Sequence, residues 1–236
     1  MRCNDCINRL QIWQGSDDVS ERCAAMIALI DYKCGNIRSV EKALLAAGAH
    51  VQVTSNAQKI AHASSLVLPG VGAFADASAS LNELGLAGVI RERILDGVPF
   101  LGICLGMHLL FESGTERPDG APLPSGLGII NGVVDKLPQK DAQGALYKIP
   151  HVGWNAVTYK DDSLFSNIPQ DEYFYFTHSY AVPESTCTLA TTTHSSTFPC
   201  AVKYGECAYG VQFHPEKSSD AGMILLRNFV SLAKEC

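Results

Sequence analysis

A cysteine framed by two glycines is the first candidate for chemistry in this chain. It stands in the sequence Gly-Ile-Cys-Leu-Gly at residues 102–106, after an apolar run over Pro99–Ile103 that predicts a strand. The residues from Leu105 to about Ser113 predict a helix. A side chain at a sharp turn from strand to helix projects from the sheet, flanking glycines permit the tight backbone, and the helix N-terminus favours an anionic sulfur. The placement predicts that Cys104 is a nucleophile.

A histidine that could serve as its general base lies near the C-terminus. The sequence Tyr-Gly-Val-Gln-Phe-His-Pro-Glu at residues 209–216 alternates like a strand and is stopped by Pro215. A histidine at a strand end can exchange a proton with a thiol, and a carboxylate two residues on can hold its other ring nitrogen. Cys104, His214 and Glu216 therefore form a candidate triad.

A glycine-rich turn after another apolar strand could complete such a site. Residues 69–72 read Pro-Gly-Val-Gly and follow the predicted strand Ser65–Leu68. Exposed backbone donors in a turn of this kind can stabilise the negative oxygen of a tetrahedral intermediate. We expect the amide of Val71 to supply one half of an oxyanion hole and the amide of Leu105 to supply the other.

The elements that must position these residues form two patterns. From Met26 onward, short apolar strands alternate with helical stretches, which predicts a mostly parallel sheet with helices on both faces. After Gly126 the pattern changes to extended segments, which predicts antiparallel additions in the C-terminal half before a closing helix over Ser219–Ala233. These extended segments are Ile129–Leu137, Tyr147–Thr158, Tyr173–Val182, Thr188–Thr192 and Cys200–Phe213.

Length and composition favour one α/β domain over residues 26–236. A chain of 236 residues that is 47% hydrophobic can bury one substantial core. Residues 1–25 are polar with little periodicity, so we expect either a disordered extension or a start misassigned upstream of Met26. No transmembrane span and no repeat is expected.

Charge and cysteine usage limit the partners and the compartment. A net charge of −6 argues against nucleic acid or an anionic membrane as a main partner. The nine cysteines are scattered, and no signal segment precedes them, so a reducing cytoplasm fits better than secretion. Cys3 and Cys6 form a lone C-x-x-C pair, which without a second pair at zinc-finger spacing is only a weak metal or redox signal. No metal and no cofactor is expected.

Taken together, the motifs resemble those of the class I, or triad, glutamine amidotransferases. Gly-Ile-Cys-Leu-Gly and Phe-His-Pro-Glu are that family's two main signatures. Within the family, the chain is similar to the glutaminase subunits of imidazole glycerol phosphate synthase through further colinear segments from Met26 to nearly the end. The segments are Ile27–Tyr32 with Gly35-Asn36, Pro69–Gly72, Pro150–Asn155, Phe176–Tyr180 and Lys217-Ser218. The resemblance implies a single domain of the class I amidotransferase fold.

The resemblance also implies a reaction and a partner. Cys104 would attack the side-chain amide of glutamine, His214 would protonate the departing ammonia, and water would release glutamate from a thioester. The ammonia would pass, without escaping to solvent, to a (βα)8-barrel cyclase subunit in histidine biosynthesis. Positions that would contact glutamine are Gly72, His108, Glu116, His178, Ser179 and Tyr180. Positions that would face the cyclase are His151, Trp154, Asn155, Tyr175 and Lys217.

One candidate residue departs from the family pattern. Relatives usually carry glutamine where this chain has His108, four residues after the nucleophile and on the same helical face. The imidazole could replace the hydrogen bond of that glutamine, weaken substrate binding, or make binding depend on pH. We expect retained activity.

Other classes of function stay open at this point. A paralogous class I amidotransferase could feed ammonia to another acceptor, such as a sugar, and would share nearly every motif; an anthranilate-type synthase is disfavoured by Pro-His-Val-Gly-Trp-Asn. A stand-alone cysteine hydrolase could cut γ-glutamyl amides without a partner. A binding or regulatory subunit without activity would not need a complete triad.

Overall fold

The computed structural model describes residues 26–235, so the expectations for residues 1–25, including the Cys3 and Cys6 pair, fall outside it. The first half of the described chain alternates strands and helices as predicted. Its elements are β1 (Met26–Ile30), α1 (Ile37–Ala46), β2 (His50–Thr54), α2 (Ala57–His62), β3 (Ser65–Gly70), α3 (Phe74–Glu83), α4 (Leu86–Leu95), β4 (Phe100–Cys104) and α5 (Leu105–His108).

The second half is extended until its last helix, which also agrees with the prediction. Its elements are β5 (Phe111–Gly114), β6 (Ile130–Lys136), β7 (His151–Tyr159), β8 (Glu172–His178), β9 (Tyr180–Ala181), β10 (Thr188–Thr193), β11 (Thr197–Tyr204), β12 (Ala208–Val211) and α6 (Ser219–Glu235). The single extended segment predicted over Cys200–Phe213 is in fact two strands. Gly205, with a φ of 59°, makes the turn between them, a conformation open to glycine.

One large sheet organises these elements in the order β2-β1-β3-β4-β12-β11-β10-β7-β8. The strands β2, β1, β3, β4 and β12 are parallel, and β11, β10, β7 and β8 continue the sheet with antiparallel pairing. The predicted mixture of a parallel centre with antiparallel additions is confirmed. A small sheet of β5, β6 and β9 lies apart from it.

Helices cover both faces of the large sheet, because successive side chains of its buried strands point to opposite sides. In β1, Ile27 and Leu29 pack into one hydrophobic cluster with α1 and α6. Their neighbours Ala28 and Ile30 pack into the other cluster with α2, α3 and α4. The central strands are therefore apolar on both faces. No helix in residues 26–235 is long and apolar enough to cross a membrane.

The helix after Cys104 is shorter than predicted. It ends at His108 after four residues, and the chain enters β5 at Phe111 instead of continuing as helix to Ser113. The carbonyl groups of Leu109 and Leu110 accept hydrogen bonds from the backbone N–H groups of residues 127, 129 and 130. These long-range bonds replace the i to i+4 bonds that would have extended the helix. A helix of one turn contributes little dipole to the sulfur.

The glycines around Cys104 permit close packing, and the cysteine itself has the strained backbone. A Cβ on Gly106 would lie 1.8 Å from the carbonyl oxygen of Leu68 in β3, and a Cβ on Gly102 would lie 2.5 Å from the carbonyl oxygen of Gly106. Cys104 has a φ of 53° and a ψ of −107°. Packing of α5 against β3 therefore holds a conformation that a non-glycine residue rarely adopts.

The described cysteines are of two kinds. Cys34, Cys104, Cys187 and Cys200 carry free thiols. Cys207 is disulfide-bonded.

Gly106→Ala is predicted to lower the free energy of unfolding by about 2 kcal/mol or more, because its methyl group has no space beside the Leu68 carbonyl. The matched control is Gly88→Ala, at an exposed position of helix α4 where a Cβ meets no other described atom within 4 Å. That control should be neutral or raise stability by about 0.5 to 1 kcal/mol. Urea denaturation of both variants measures the difference, and equal stabilities would contradict the packing argument.

Candidate active site

Cys104 ends β4, an interior strand of the large sheet, where the chain turns into α5. Its side chain is buried, and it lines a pocket of about 470 Å³. The same pocket brings together the two predicted oxyanion residues and all six predicted substrate positions. These residues are Val71, Leu105, Gly72, His108, Glu116, His178, Ser179 and Tyr180. Residues far apart in the chain thus surround one sulfur.

His214 and Glu216 follow strand β12, which lies directly beside β4 in parallel register. The Nδ1 atom of His214 lies 2.9 Å from Oε1 of Glu216, and both side chains are buried. A carboxylate at this distance keeps the proton on Nδ1 and orients the ring. The Nε2 atom is buried and has no hydrogen-bond partner among the described residues, so it is free to exchange a proton.

The environment of His214 favours its charged form. Burial alone would lower the pKa of the imidazole, but the Cys104 thiol and the Glu216 carboxylate more than offset this, and the pKa is raised to about 9. The imidazolium is therefore present at neutral pH, beside the sulfur and already carrying the proton that a leaving amine needs.

The backbone around His214 is tied to strand β8. The His214 N–H donates to the carbonyl of Tyr175 at 2.9 Å. The Ser218 hydroxyl donates to the carbonyl of His214 at 2.7 Å and accepts from the Tyr175 N–H at 3.0 Å. Ser218, from the Lys-Ser that extends His-Pro-Glu, thus fixes His214 to the neighbouring strand.

Glu116 combines a structural and a site role. Its Oε2 accepts a hydrogen bond of 3.1 Å from the N–H of Phe74, the first residue of α3, and its side chain also lines the pocket. Burial raises the pKa of this carboxyl, and the Phe74 amide opposes that shift. The predicted position in the loop after α5 therefore does reach the pocket.

His178 and His151 form a neutral hydrogen-bonded pair next to the pocket. The Nδ1 of His178 lies 2.8 Å from the carbonyl of Tyr180 and must donate to it, so its Nε2 accepts from the Nδ1 of His151 at 3.0 Å. Burial lowers the pKa of His178 to about 3 and that of His151 to about 4. His151, predicted to face a partner, is buried in the described chain and stacks on His194 and Phe176.

The other predicted partner positions lie on the surface beside His214. Trp154 is 51% exposed, and its ring lies 6.0 Å from that of Tyr175. The ammonium of exposed Lys217 lies 5.9 Å from the Tyr175 ring. Asn155 donates to the carbonyl of Thr193 at 2.7 Å. Three of the predicted residues therefore form one aromatic and basic surface, which we call the Trp154 surface (Trp154, Tyr175, Lys217).

Sequence reasoning missed Gln212 as a site residue. Its side chain is fully buried between His108 and Cys104. Burial lowers the pKa of His108 to about 4, and the Gln212 bond opposes this shift without overcoming it. The spacing of two residues between Gln212 and His214 on an extended segment could have indicated that both face the same side. Within residues 26–235, no group of three or more His, Cys, Asp or Glu side chains is placed to hold a metal ion.

Comparison with known proteins identifies the family of the chain. The model of the family described as glutamine amidotransferase class-I matches residues 28–232. The fold resembles a crystal structure of a glutamine amidotransferase, with a TM-score of 0.65 at 18% identity over 88% of this chain and 98% of that one. It also resembles PurLQS from Thermotoga maritima, with a TM-score of 0.64 at 15% identity over 89% and 99%. The chain belongs to the class I glutamine amidotransferases.

Similarity of sequence narrows the position within that family. The chain is 45% identical over 211 residues to the imidazole glycerol phosphate synthase subunit HisH of Moorella thermoacetica, covering 88% of this chain and 95% of the relative. It is 41% identical over 210 residues to the HisH subunit of Geobacillus kaustophilus, covering 88% and 97%. Within the class I amidotransferases, the chain is thus a member of the HisH group. The resemblance seen in the motifs is confirmed.

Glu216→Gln is predicted to make the free energy of unfolding less dependent on pH. Between pH 6.5 and about 9 it should fall less in the variant than in the native chain. His214 has a pKa of about 9 when folded and an ordinary value of 6.5, so its contribution is complete below pH 6.5 and disappears as the pH rises through about 9. Without the carboxylate, burial pulls the pKa down and the pH-dependent contribution shrinks. The free energy of unfolding by urea across this range measures the effect.

The control for this measurement is Glu83→Gln, which removes an exposed carboxylate at the end of α3. It should leave the slope of stability against pH as it is in the native chain. Parallel curves for Glu216→Gln and the native chain would contradict the assignment of the charge to His214.

Proposed function

We propose that this chain is the glutaminase subunit of an imidazole glycerol phosphate synthase, with residues 26–236 as its amidotransferase domain. It releases ammonia from glutamine for a cyclase subunit of histidine biosynthesis in the cytoplasm. The observation that carries the proposal is the His214 imidazole, held by Glu216 at Nδ1 and open at Nε2, beside Cys104. The HisH relatives, which match 88% of the chain or more, support the choice of pathway.

The first half of the reaction begins from the Cys104 thiolate and the His214 imidazolium. Because the sulfur has already lost its proton, no external base is needed. The sulfur of Cys104 attacks the amide carbon of glutamine, and the carbonyl oxygen becomes an oxyanion. The carbon–nitrogen bond then breaks as His214 gives its Nε2 proton to the leaving nitrogen, which departs as ammonia. A γ-glutamyl thioester and a neutral imidazole remain.

In the second half, the neutral imidazole acts as the base. It takes a proton from a water molecule, whose oxygen attacks the thioester carbon. The carbon–sulfur bond breaks, glutamate leaves, and the thiolate and imidazolium are restored. Glu216 stabilises the imidazolium at both ends of the cycle and keeps the ring in the same orientation.

The proposed oxyanion hole has one buried half, at Leu105, and one exposed half, at Val71. Leu105 is 2% exposed at the start of α5, whereas Val71 is 42% exposed in the turn after β3. The next residue, Gly72, has a φ of 106°, so this turn uses a conformation that most residues avoid. Because half of the hole depends on this turn, we propose that the chain alone is nearly inactive and that a partner sets the Val71 amide.

We propose a (βα)8-barrel cyclase as that partner, docked on the Trp154 surface. Tyr175 of this surface is hydrogen-bonded through its backbone to His214, so the surface lies next to the group that releases ammonia. Ammonia is protonated in bulk water at neutral pH, so a covered path to the acceptor preserves its nucleophilicity. Exposed aromatic residues with a neighbouring cation are the types that dominate protein interfaces.

Glutamate release from glutamine tests the function directly. The chain should be nearly silent alone and strongly stimulated by a cyclase subunit of imidazole glycerol phosphate synthase with its ribonucleotide ligand. Cys104→Ala is the blank and should abolish the stimulated rate. Equal activity with and without the cyclase would instead indicate a free hydrolase, and silence in every mixture would indicate another acceptor.

Trp154→Ala is predicted to weaken binding of the cyclase by about 2 kcal/mol, or roughly 30-fold in the dissociation constant, because a large exposed ring is lost from the proposed contact. Leu95→Ala, which removes another exposed apolar side chain on α4, is the control and should leave affinity unchanged. Titration of labelled cyclase measures both. Equal affinities for the two variants would exclude the Trp154 surface as the docking site.

A further inference from the structure

A buried line of polar side chains runs from the pocket to the sulfur of Cys104. The Nε2 atom of His108 lies 2.7 Å from Oε1 of Gln212, and the Nε2 of Gln212 lies 3.7 Å from the Sγ of Cys104. We propose that Gln212 donates a hydrogen bond to the Cys104 thiolate and that His108 orients Gln212 to do so. The proposal rests on the proposed function and extends its site by two positioning residues.

The register of the sheet explains why these residues meet. Strands β4 and β12 are parallel neighbours, with Ile103 opposite Val211. The next residues along the two strands are Cys104 and Gln212, so the glutamine lies beside the nucleophile. His108 is the last residue of α5, four residues after Cys104, and its ring contacts the Gln212 side chain.

The orientation of the Gln212 amide determines whether it stabilises or destabilises a negative charge on the sulfur. Its NH₂ end can donate to a thiolate, whereas its oxygen would repel the same charge. The oxygen faces His108, so His108 must donate from Nε2. Burial keeps His108 neutral by lowering its pKa to about 4, which leaves one ring proton, and that proton lies on Nε2. The tautomer of His108 therefore turns the NH₂ end of the Gln212 amide toward the sulfur.

Burial makes this arrangement costly to break. Gln212 is 0% exposed, and an unpaired amide at such a place would lose its hydration without compensation. Both ends of the amide are used, and its backbone N–H donates to the carbonyl of Cys200 at 2.9 Å. The sulfur therefore has two polar neighbours, the imidazolium of His214 and the neutral amide of Gln212. Besides Cys104 and His108, the titratable residues that line the pocket are Glu116, His178 and Tyr180.

The arrangement assigns His108 a role beyond substrate contact. Its Nδ1 atom has no hydrogen-bond partner among the described residues, and the side chain lines the pocket. A donor group of bound glutamine that met this lone pair would favour the same Nε2–H tautomer. Occupation of the pocket would then reinforce the orientation of Gln212 that supports the thiolate.

The alkylation rate of Cys104 by iodoacetamide tests the proposal in the full chain at an acidic pH, where the thiolate is the minor form. Loss of a hydrogen bond then lowers the thiolate fraction more than it raises the nucleophilicity of the sulfur, so the rate falls. Mass spectrometry of the Cys104 peptide separates it from the other thiols. Gln212→Met keeps the length but removes the donor and should slow alkylation roughly tenfold, the order expected for a hydrogen bond to a charged group. His108→Met should slow it about threefold through the misoriented amide, and His108→Gln, which can still donate to Oε1, should restore the rate.

A double-mutant cycle separates positioning from a general structural effect. Because His108 acts through Gln212, His108→Met should slow alkylation less than about twofold when Gln212→Met is already present. His50→Met on exposed β2 is the control for a histidine-to-methionine change and should not alter the rate. Thermal unfolding midpoints identify variants that fail to fold, and the His108→Met and His108→Gln pair remains decisive if Gln212→Met is one of them.

Three results would overturn the proposal. One is an unchanged alkylation rate in folded Gln212→Met. Another is an additive effect of the two methionine variants, which would mean that His108 acts on its own. The third is equal loss in His108→Met and His108→Gln. The assay needs neither glutamine nor a cyclase, so a wrong assignment of the partner or pathway would leave these results interpretable.

Discussion

The strained backbone of Cys104 is the constraint on which the rest of the site depends. A positive φ costs a non-glycine residue on the order of 1 to 3 kcal/mol, and it persists only where the surroundings over-determine it. Here the surroundings are backbone atoms, since Gly106 brings α5 against the Leu68 carbonyl with no room for a side chain. The direction of the sulfur and the placement of the Leu105 amide follow from this one turn. Parallel pairing of β4 with β12 then adds Gln212 beside the sulfur.

The histidines of this region show how environment divides one residue type into two roles. His214 has a carboxylate and a thiol for neighbours, which outweigh burial and keep it charged. His108, His151 and His178 are buried without a carboxylate, so their pKa values fall and they stay neutral. Neutral histidines can hold fixed tautomers and directional hydrogen bonds, whereas the charged one is the proton carrier of the proposed reaction. The site therefore has a single proton carrier among several orienting groups.

Much of this arrangement could be predicted from the sequence, because its signals are local. The glycine-framed cysteine, the His-Pro-Glu end of a strand and the apolar runs each depend on a few adjacent residues, and the sheet and the pocket agree with them. The length of α5 could not be predicted, since Leu109 and Leu110 favour helix and only partners at residues 127–130 divert their carbonyls. The burial of His151 depends on Phe176, in strand β8, and on His194, in the turn between β10 and β11. The contact of Gln212 with the sulfur needs the register of two strands about a hundred residues apart.

The hydrogen bonds that join Tyr175, Ser218 and His214 connect the candidate active site to the proposed docking surface through one backbone. A substitution that shifts β8 to suit a different binding partner also shifts the ring that carries the proton. The two properties therefore cannot diverge independently during evolution. A lineage that acquires a new acceptor enzyme has to keep this strand in place and change only the side chains that project from it. The hydroxyl of Ser218 thus holds the position of β8 and the position of His214 at the same time.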